Sequence, residues 1–184
     1  MLLFVFSGSI SKDEVFFLQL VSASDRVTDL SVSTLKLSNV DFSKKYFTAC
    51  AFFNVEFFDC NFDFANFRMS LFENCSFNNV SFKSSNIQFS SFAFSHFELC
   101  NFQDSDIINV NFCGISAENV IFDNSDLSSS YFVGANMEKT NFENCDLTAS
   151  IFIKAKMNAI SFKQSNKNYA IFDDILSLSM HSSV

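Results

Sequence analysis

Residues 57–82 read FFDCNFDFANFRMSLFENCSFNNVSF, and phenylalanine returns at every fifth position from Phe57 to Phe82. The series extends from position 42 to position 172 without an inserted or missing residue. Of its 27 positions, 25 hold Phe, Ile, Leu or Met, and the exceptions are Ala117 and Lys167. We call these positions the centres. Self-similarity at a fixed short period indicates a repeat architecture.

The neighbours of each centre are also patterned. The residue two places before it is small almost throughout, and the residue between is often Asn or Asp. Five helical steps would turn a side chain about 140° away from its start, and five strand steps would place it on the opposite face. Only a chain that turns a corner every five residues keeps all centres inside, and four corners close a square coil of 20 residues.

The centres themselves support this coil length. Sorted in steps of 20, they form four columns, of which two are purely Phe, from Phe42 to Phe162 and from Phe52 to Phe172. The third column passes from Phe through Ile to Leu, and the fourth passes from Phe through Ala117 to Met. Since successive coils rise by about 4.8 Å, identical rings can share one rotamer and stack with an offset.

The pattern over residues 40–174 resembles the pentapeptide-repeat family, whose motif is a small residue, Asn or Asp, Leu or Phe, and two variable residues. The resemblance implies an all-β fold, a right-handed quadrilateral β-helix. Residues 1–29 do not fit the repeat, and Ser11-Lys12-Asp13-Glu14 is typical of a capping box that begins a short helix. We expect an N-terminal cap or export signal at residues 1–29, the β-helix at 30–174, with Val32 and Leu37 as early centres, and a C-terminal cap or tail at 175–184.

The sequence offers no constellation for chemistry. Five of the six cysteines occupy the small inward position, which predicts buried, reduced thiols, and only Cys113 points outward. His96 is predicted on the surface and His181 in the tail, and three glycines cannot build a phosphate loop. We therefore expect no enzymatic activity and no catalytic, cofactor or metal site.

Outward positions must then carry the function. The face outside the column from Phe52 to Phe172 is unusually apolar, which predicts a partner or dimer interface unless a terminal segment covers it. Its residues are Phe53, Leu71, Phe94, Tyr131, Val133, Ile151, Ile153 and Ile171. Phe58, Phe64 and Phe89 are predicted to be exposed on neighbouring faces.

A second outer surface is acidic. Its predicted columns are Glu98, Glu118 and Glu138, then Asp106, Asp126 and Asp146, then Asp123 and Glu143. The net charge of −8 and pI near 4.6 argue against direct binding of nucleic acid. Two interpretations remain: solubility together with the repeat's preference for Asn or Asp, or imitation of DNA phosphates.

Two functional resemblances follow at the level of the family. The chain looks like pentapeptide-repeat proteins that bacteria deliver into host cells by type III secretion, which implies a host or bacterial protein partner. It is also similar to acidic, gyrase-protecting quinolone-resistance proteins, which mimic DNA and bind a topoisomerase. An intracellular scaffold is the third interpretation. Asp13 and Glu14 precede the apolar run at 15–21, where a Sec signal needs basic residues. No run reaches the length of a membrane span. We expect the protein in the bacterial cytoplasm, or in a host cell after export without a Sec signal.

Overall fold

A computed structural model describes residues 12–173 of the 184-residue chain. One helix, α1 (Lys12–Ala23), precedes a stack of short strands, and a 3-10 helix (Lys167–Tyr169) follows them. The strands are β1 (Arg26–Thr28), β2 (Ser31–Ser33), β3 (Lys36–Ser38), β4 (Tyr46–Thr48), β5 (Ala51–Phe53), β6 (Glu56–Phe58), β7 (Asn66–Arg68), β8 (Leu71–Glu73), β9 (Ser76–Asn78), β10 (Asn86–Gln88), β11 (His96–Glu98), β12 (Asp106–Ile108), β13 (Ser116–Glu118), β14 (Asn136–Glu138) and β15 (Lys156–Asn158).

The strands form the walls of a four-sided coil. We name its faces A, B, C and D in chain order, after the columns of centres that begin at Val27, Val32, Leu37 and Phe42. Faces A, B and C carry parallel sheets of five, three and seven strands, and face D is joined by single bridges. Each residue pairs with one 20 positions away, as Phe47 does with Phe67. The predicted coil of 20 residues is therefore confirmed.

The corners of the coil use left-handed backbone. The residue two places after each centre has a φ between 49° and 68°, at 26 non-glycine residues as well as at Gly114 and Gly134. Non-glycine residues pay about 1–2 kcal/mol for this conformation. The corner does not require glycine, because the ladders on either side hold each corner in place.

Asn and Asp before the centre have a local function. At Asp41, Asn61, Asn101, Asn111, Asp126 and Asp146, the side-chain Oδ1 accepts the N–H of the residue two places later at 2.9 Å. These side chains close turns on the faces where the strand is replaced by a single bridge. The preference of the repeat for Asn and Asp is thus explained by backbone geometry.

The core consists of stacked phenylalanine rings. Phe82 and Phe102 have centroids 4.5 Å apart with planes 1° apart, and Phe132 and Phe152 are 4.8 Å and 1° apart. Rings of the two opposite Phe columns, on faces B and D, meet edge to face across the core. Ala117 is buried beside Ile115, whose larger side chain fills the usually small position and makes up for the small centre.

The small inward position satisfies backbone groups. The Ser105 hydroxyl donates to the Phe82 carbonyl at 2.8 Å and accepts the Ser85 N–H at 3.1 Å. Cysteine thiols donate to the equivalent carbonyls, as Cys145 does to Phe122. Five cysteines are buried here, as predicted, and all six are free thiols. Within residues 13–173, every buried side-chain nitrogen and oxygen has a hydrogen-bond partner.

The N-terminal end is capped by α1, as predicted. Phe17 is buried, and its ring lies 6.1 Å from those of Phe42 and Phe52. The coil begins at β1, where Val27 is a buried centre, so it starts earlier than the predicted boundary at residue 30. The sequence obscures this start because Asp25 occupies the small position, where it forms an ion pair with Lys45 at the open end, 3.3 Å away. Ser11 of the predicted capping box lies outside the described residues.

The last coil departs from the five-residue pattern at Lys167. A charged side chain cannot replace a buried centre, and here the chain forms the 3-10 helix instead. Side chains then end the ladders: Asn166 Oδ1 accepts the Leu147 N–H at 2.6 Å, and Asp173 Oδ2 accepts the Lys154 N–H at 2.7 Å. Phe172 still stacks on Phe152. The predicted C-terminal cap at 175–184, with His181, lies outside the described residues.

Candidate interaction surfaces

The C-terminal half of face B carries an apolar stripe, formed by five of the six side chains that flank the last three centres of this face; the sixth is the charged Asp173. Tyr131 and Ile171 are 38% and 48% exposed, and the other three members are half-buried. The stripe consists of Tyr131, Val133, Ile151, Ile153 and Ile171. No outer position of face B between residues 91 and 153 holds a charge. The part of face B that precedes the stripe, from residue 91 onward, is therefore also uncharged.

Phe94 extends the stripe at the corner of faces B and C. Its side chain is 67% exposed, and its ring covers Gly114 of the next coil. Gly114 and Gly134 carry no side chain at this corner, which leaves the stripe open to a flat partner. Phe94 therefore lies on the same face as the stripe, two coils before Tyr131, with the coil of Asn111 and Gly114 between them.

Phe53 and Leu71 do not join this stripe. Glu73 follows Phe53 on its column, and the small Ser91 follows Leu71. Phe58, Phe64 and Phe89 are exposed, as predicted. Sequence reasoning missed Met69 and Leu99, which are 53% and 52% exposed at left-handed corners. The repeat could have identified both residues as exposed, because a residue two places after a centre lies at a corner and points outward.

The predicted glutamate column on face C is present in the structure. Glu98 pairs in register with Glu118, and Glu118 pairs with Glu138. Lys139 Nζ lies 3.8 Å from a carboxylate oxygen of both Glu118 and Glu138. Asn78 donates to Glu98 at 2.6 Å. One lysine therefore pairs with two of the three stacked carboxylates, and an amide donates to the third.

The two aspartate-containing columns also have structural functions. Asp106, Asp126 and Asp146 are bridged one above another on face A, and the Thr148 hydroxyl, the Asn166 amide and the Thr148 N–H lower the pKa of Asp146. On face D, Asp123 Oδ1 accepts the Glu143 N–H at 2.9 Å. Burial raises the pKa of Asp123, whereas the Ser161 hydroxyl and then Lys163 lower that of Glu143.

The net charge of the protein is localised. Residues 98–146 contain nine acidic residues and one lysine, whereas the rest of the chain contains 11 acidic and 11 basic residues. All nine carboxylates lie on face D or on the halves of faces A and C that adjoin it. We call this the acidic surface. Face D is opposite face B, so the rod has an acidic side and an apolar side.

The described residues offer little for chemistry. No cluster of three or more His, Cys, Asp or Glu residues within 12–173 is placed to hold a metal ion. His96 is exposed on face C and Cys113 is half-buried on face B, both at the outward positions predicted for them. Burial raises the pKa of Cys100 to about 12 and that of Cys60 to about 11, which keeps these thiols protonated and unreactive at neutral pH.

The comparison with known families agrees with this geometry. The family model for pentapeptide repeats matches residues 56–93, 95–138 and 125–164, with eight copies. The chain belongs to the pentapeptide-repeat family. The fold is accordingly the right-handed quadrilateral β-helix expected from the repeat.

Solved structures of this family share the fold. A trypsin-treated form of QnrB1, a plasmid-mediated fluoroquinolone resistance protein, is 18% identical with a TM-score of 0.55, over 85% of this chain and 96% of that one. Rfr23, from the cyanobacterium Cyanothece 51142, is 14% identical with a TM-score of 0.49, over 88% and 98%. No curated protein sequence matches the chain. Within residues 12–173, no helix has the length and hydropathy needed to span a bilayer.

Proposed function

We propose that the protein is a non-enzymatic rod that binds another protein through the apolar stripe of face B. One observation carries this proposal: the stripe exposes Tyr131 and Ile171 to solvent and leaves Ile151 half-buried, although the core beneath them is already complete. The centres Phe132 and Phe152 are fully buried without help from these outer side chains. Outer Ile and Val therefore add little to folding, whereas an uncharged apolar patch is typical of a protein interface.

Paired substitutions test this proposal. Ile151→Lys with Ile153→Lys places two charges in the stripe, and Ser116→Lys with Asn136→Lys places two on face C as a matched control. The tagged full-length chain is used to recover partners from bacterial and host lysates. We expect the control pair and the wild type to recover the same protein and the stripe pair to lose it. Equal recovery by all three forms would reject the stripe as the interface.

The acidic surface favours a second function, the imitation of DNA toward a DNA-binding protein such as a topoisomerase. Three columns of carboxylates run along the side of the rod opposite the apolar stripe, and all of the net charge lies there. Carboxylates in register at a spacing of about 5 Å form a narrow anionic row, which a protein that binds phosphates could accept.

A supercoiling assay with DNA gyrase tests this second function. The triple variant Glu98→Gln, Glu118→Gln and Glu138→Gln removes three charges while keeping oxygen atoms that accept hydrogen bonds. We expect the wild type to alter supercoiling at micromolar concentration and the triple variant to lose most of the effect. An absence of any effect of the wild type would remove the topoisomerase as partner.

Delivery into a host cell by type III secretion is a separate proposal about where the rod acts. It draws support from the N-terminal residues, which do not follow the repeat. Residues 12–23 form helix α1 of the folded cap, and residues 1–11 stand before this helix in the sequence. A translocation reporter fused to residues 1–30 should reach the host cell, and retention in the bacterium would leave a scaffold inside the producing cell as the remaining alternative.

A further inference from the structure

A groove lies at the N-terminal end of the rod, between α1 and the first coil. Its volume is about 270 Å³. The helix contributes Asp13, Phe16, Phe17 and Leu20, and the coil contributes Leu30, Ser31, Val32, Ser33 and Leu35. The groove therefore has an apolar floor and walls, with Asp13 at the start of the helix on its rim.

The cap leaves one corner of the core uncovered at this groove. Of the four centres of the first coil, Val27, Leu37 and Phe42 are buried, but Val32 is only half-buried. Phe16, on the wall of the groove, is 66% exposed. Helix α1 thus covers three quarters of the coil end and leaves apolar surface on the fourth.

The backbone is also open at this point. Strand β2 pairs with β5 of the next coil. Within residues 12–173, the other edge of β2, which faces the N-terminal end of the rod, has no partner strand. In the coils below, the equivalent amides bond to the coil above: Ala51 N–H donates to the Leu30 carbonyl at 2.7 Å. On face C the Glu14 carboxylate takes this place by accepting the Lys36 N–H at 3.0 Å. Among the described residues, 12–173, the Ser31 N–H of face B has no such acceptor.

We propose that this groove receives residues 2–6 of the same chain, LLFVF, as an added strand on the free edge of β2. Helix α1 begins at Lys12, next to Asp13 of the groove lining, so a segment that stands just before the helix in the sequence is joined to the chain beside the groove. Residues 7–11 span up to about 17 Å when extended, which exceeds the length of the three-residue strand. Residues 1–11 carry no charge, and two phenylalanines are available to cover Val32 and Phe16.

This proposal is independent of the partner that the apolar stripe or the acidic surface binds. In it, residues 2–6 accept the backbone N–H of the first strand on face B, as the Glu14 carboxylate accepts the Lys36 N–H on face C. Main-chain hydrogen bonds fix the register between the added strand and β2, and the apolar side chains of the added strand bury the exposed corner of the core.

Amide hydrogen exchange of the full-length chain, followed by NMR, tests the proposal at Ser31. Phe4→Asp with Phe6→Asp should speed exchange of the Ser31 amide by about tenfold or more, because the added strand is lost. Phe16→Ser changes the groove wall instead of the segment and should have the same effect. The matched control, Ser7→Asp with Ser9→Asp, adds the same charge nearby and should leave the rate unchanged.

Two results would overturn the proposal. One is a Ser31 amide that exchanges equally fast in the wild type and in the Phe4→Asp, Phe6→Asp variant. The other is protection of Ser31 that rises with protein concentration, which would assign the groove to a second copy of the chain. The Ala51 amide, one coil below, provides the internal reference for an intact ladder in every variant.

Discussion

The ring of Phe94 lies over the backbone of Gly114 in the next coil. A Cβ atom at Gly114 would come within 2.7 Å of Phe94 Cδ1 and 2.8 Å of Cε1. Gly134, one coil further on the same corner, has nearly the same φ but no atom within 4 Å of the equivalent position. The two glycines therefore differ in what covers them and not in backbone conformation.

Alanine substitutions should separate these two effects. Gly134→Ala should cost about 1 kcal/mol of unfolding free energy through the positive φ alone. Gly114→Ala should cost more, because the methyl group also displaces the ring. Urea denaturation of both variants, repeated in a Phe94→Ala background, checks the origin of the difference. A gap between the two glycine variants that persists without the ring would contradict the packing seen here.

Ser105 should contribute more to the free energy of unfolding than its small side chain suggests. Its hydroxyl accepts the Ser85 N–H and donates to the Phe82 carbonyl, both of which are buried. Ser105→Ala removes both of these hydrogen bonds and leaves only the direct bond from the Ser85 N–H to the Phe82 carbonyl, at 3.2 Å. We therefore expect a loss of about 1 kcal/mol in unfolding free energy. Ser116→Ala, at an outer position of face C, is the control and should change stability by less than about 0.5 kcal/mol. Equal losses would show that the relay does not stabilise the coil.

The buried thiols should make the rod sensitive to alkaline pH. Burial raises the pKa of Cys60, Cys75 and Cys145 from 9.0 to about 11, and that of Cys100 to about 12. A pKa that is higher in the folded chain stabilises the fold fully below pH 9, and this contribution is lost as the pH rises through 11 to 12. We expect the free energy of unfolding to fall above pH 9.

A serine substitution provides the control for this pH effect. Cys100→Ser keeps a small inward residue of the kind found at Ser105 but removes one titrating group. Its unfolding free energy, measured in urea from pH 7 to pH 11, should fall less steeply than that of the wild type. Identical slopes would mean that the thiols do not cause the alkaline loss.

Lys139 should stabilise the acidic surface in a salt-dependent way. It is the one basic residue among residues 98–146 and contacts Glu118 and Glu138. We expect Lys139→Gln to cost about 0.5 kcal/mol at low ionic strength and almost nothing in 1 M salt, where charges are screened beyond about 3 Å. Lys154→Gln, at the same kind of corner position on face B, is the matched control. A loss that is insensitive to salt would point to packing instead.

The core was predictable from the sequence, because each centre meets the same environment. The two pure Phe columns required a coil of 20 residues, and the stacked rings confirm it. The outer positions were harder to interpret, since solvent accepts many residue types. The sequence pattern grouped Phe53 with the apolar residues of face B. It did not predict that Glu73, which pairs with Phe53 in the next coil, would interrupt this group. The groove beside Val32 depends on how α1 docks, which no five-residue pattern encodes.

The unbroken register of the coil has a consequence for how such a chain can change. Insertion of a single pentapeptide would leave every buried column filled, since one centre is as good as another in the core. Everything downstream would nevertheless rotate by a quarter turn about the axis of the rod. An insertion between the coils of Phe92 and Phe132 would swing Tyr131, Ile151 and Ile171 out of line with Phe94. Only a duplication of four pentapeptides restores the phase, so the outer surface constrains the length of this gene far more than the fold does.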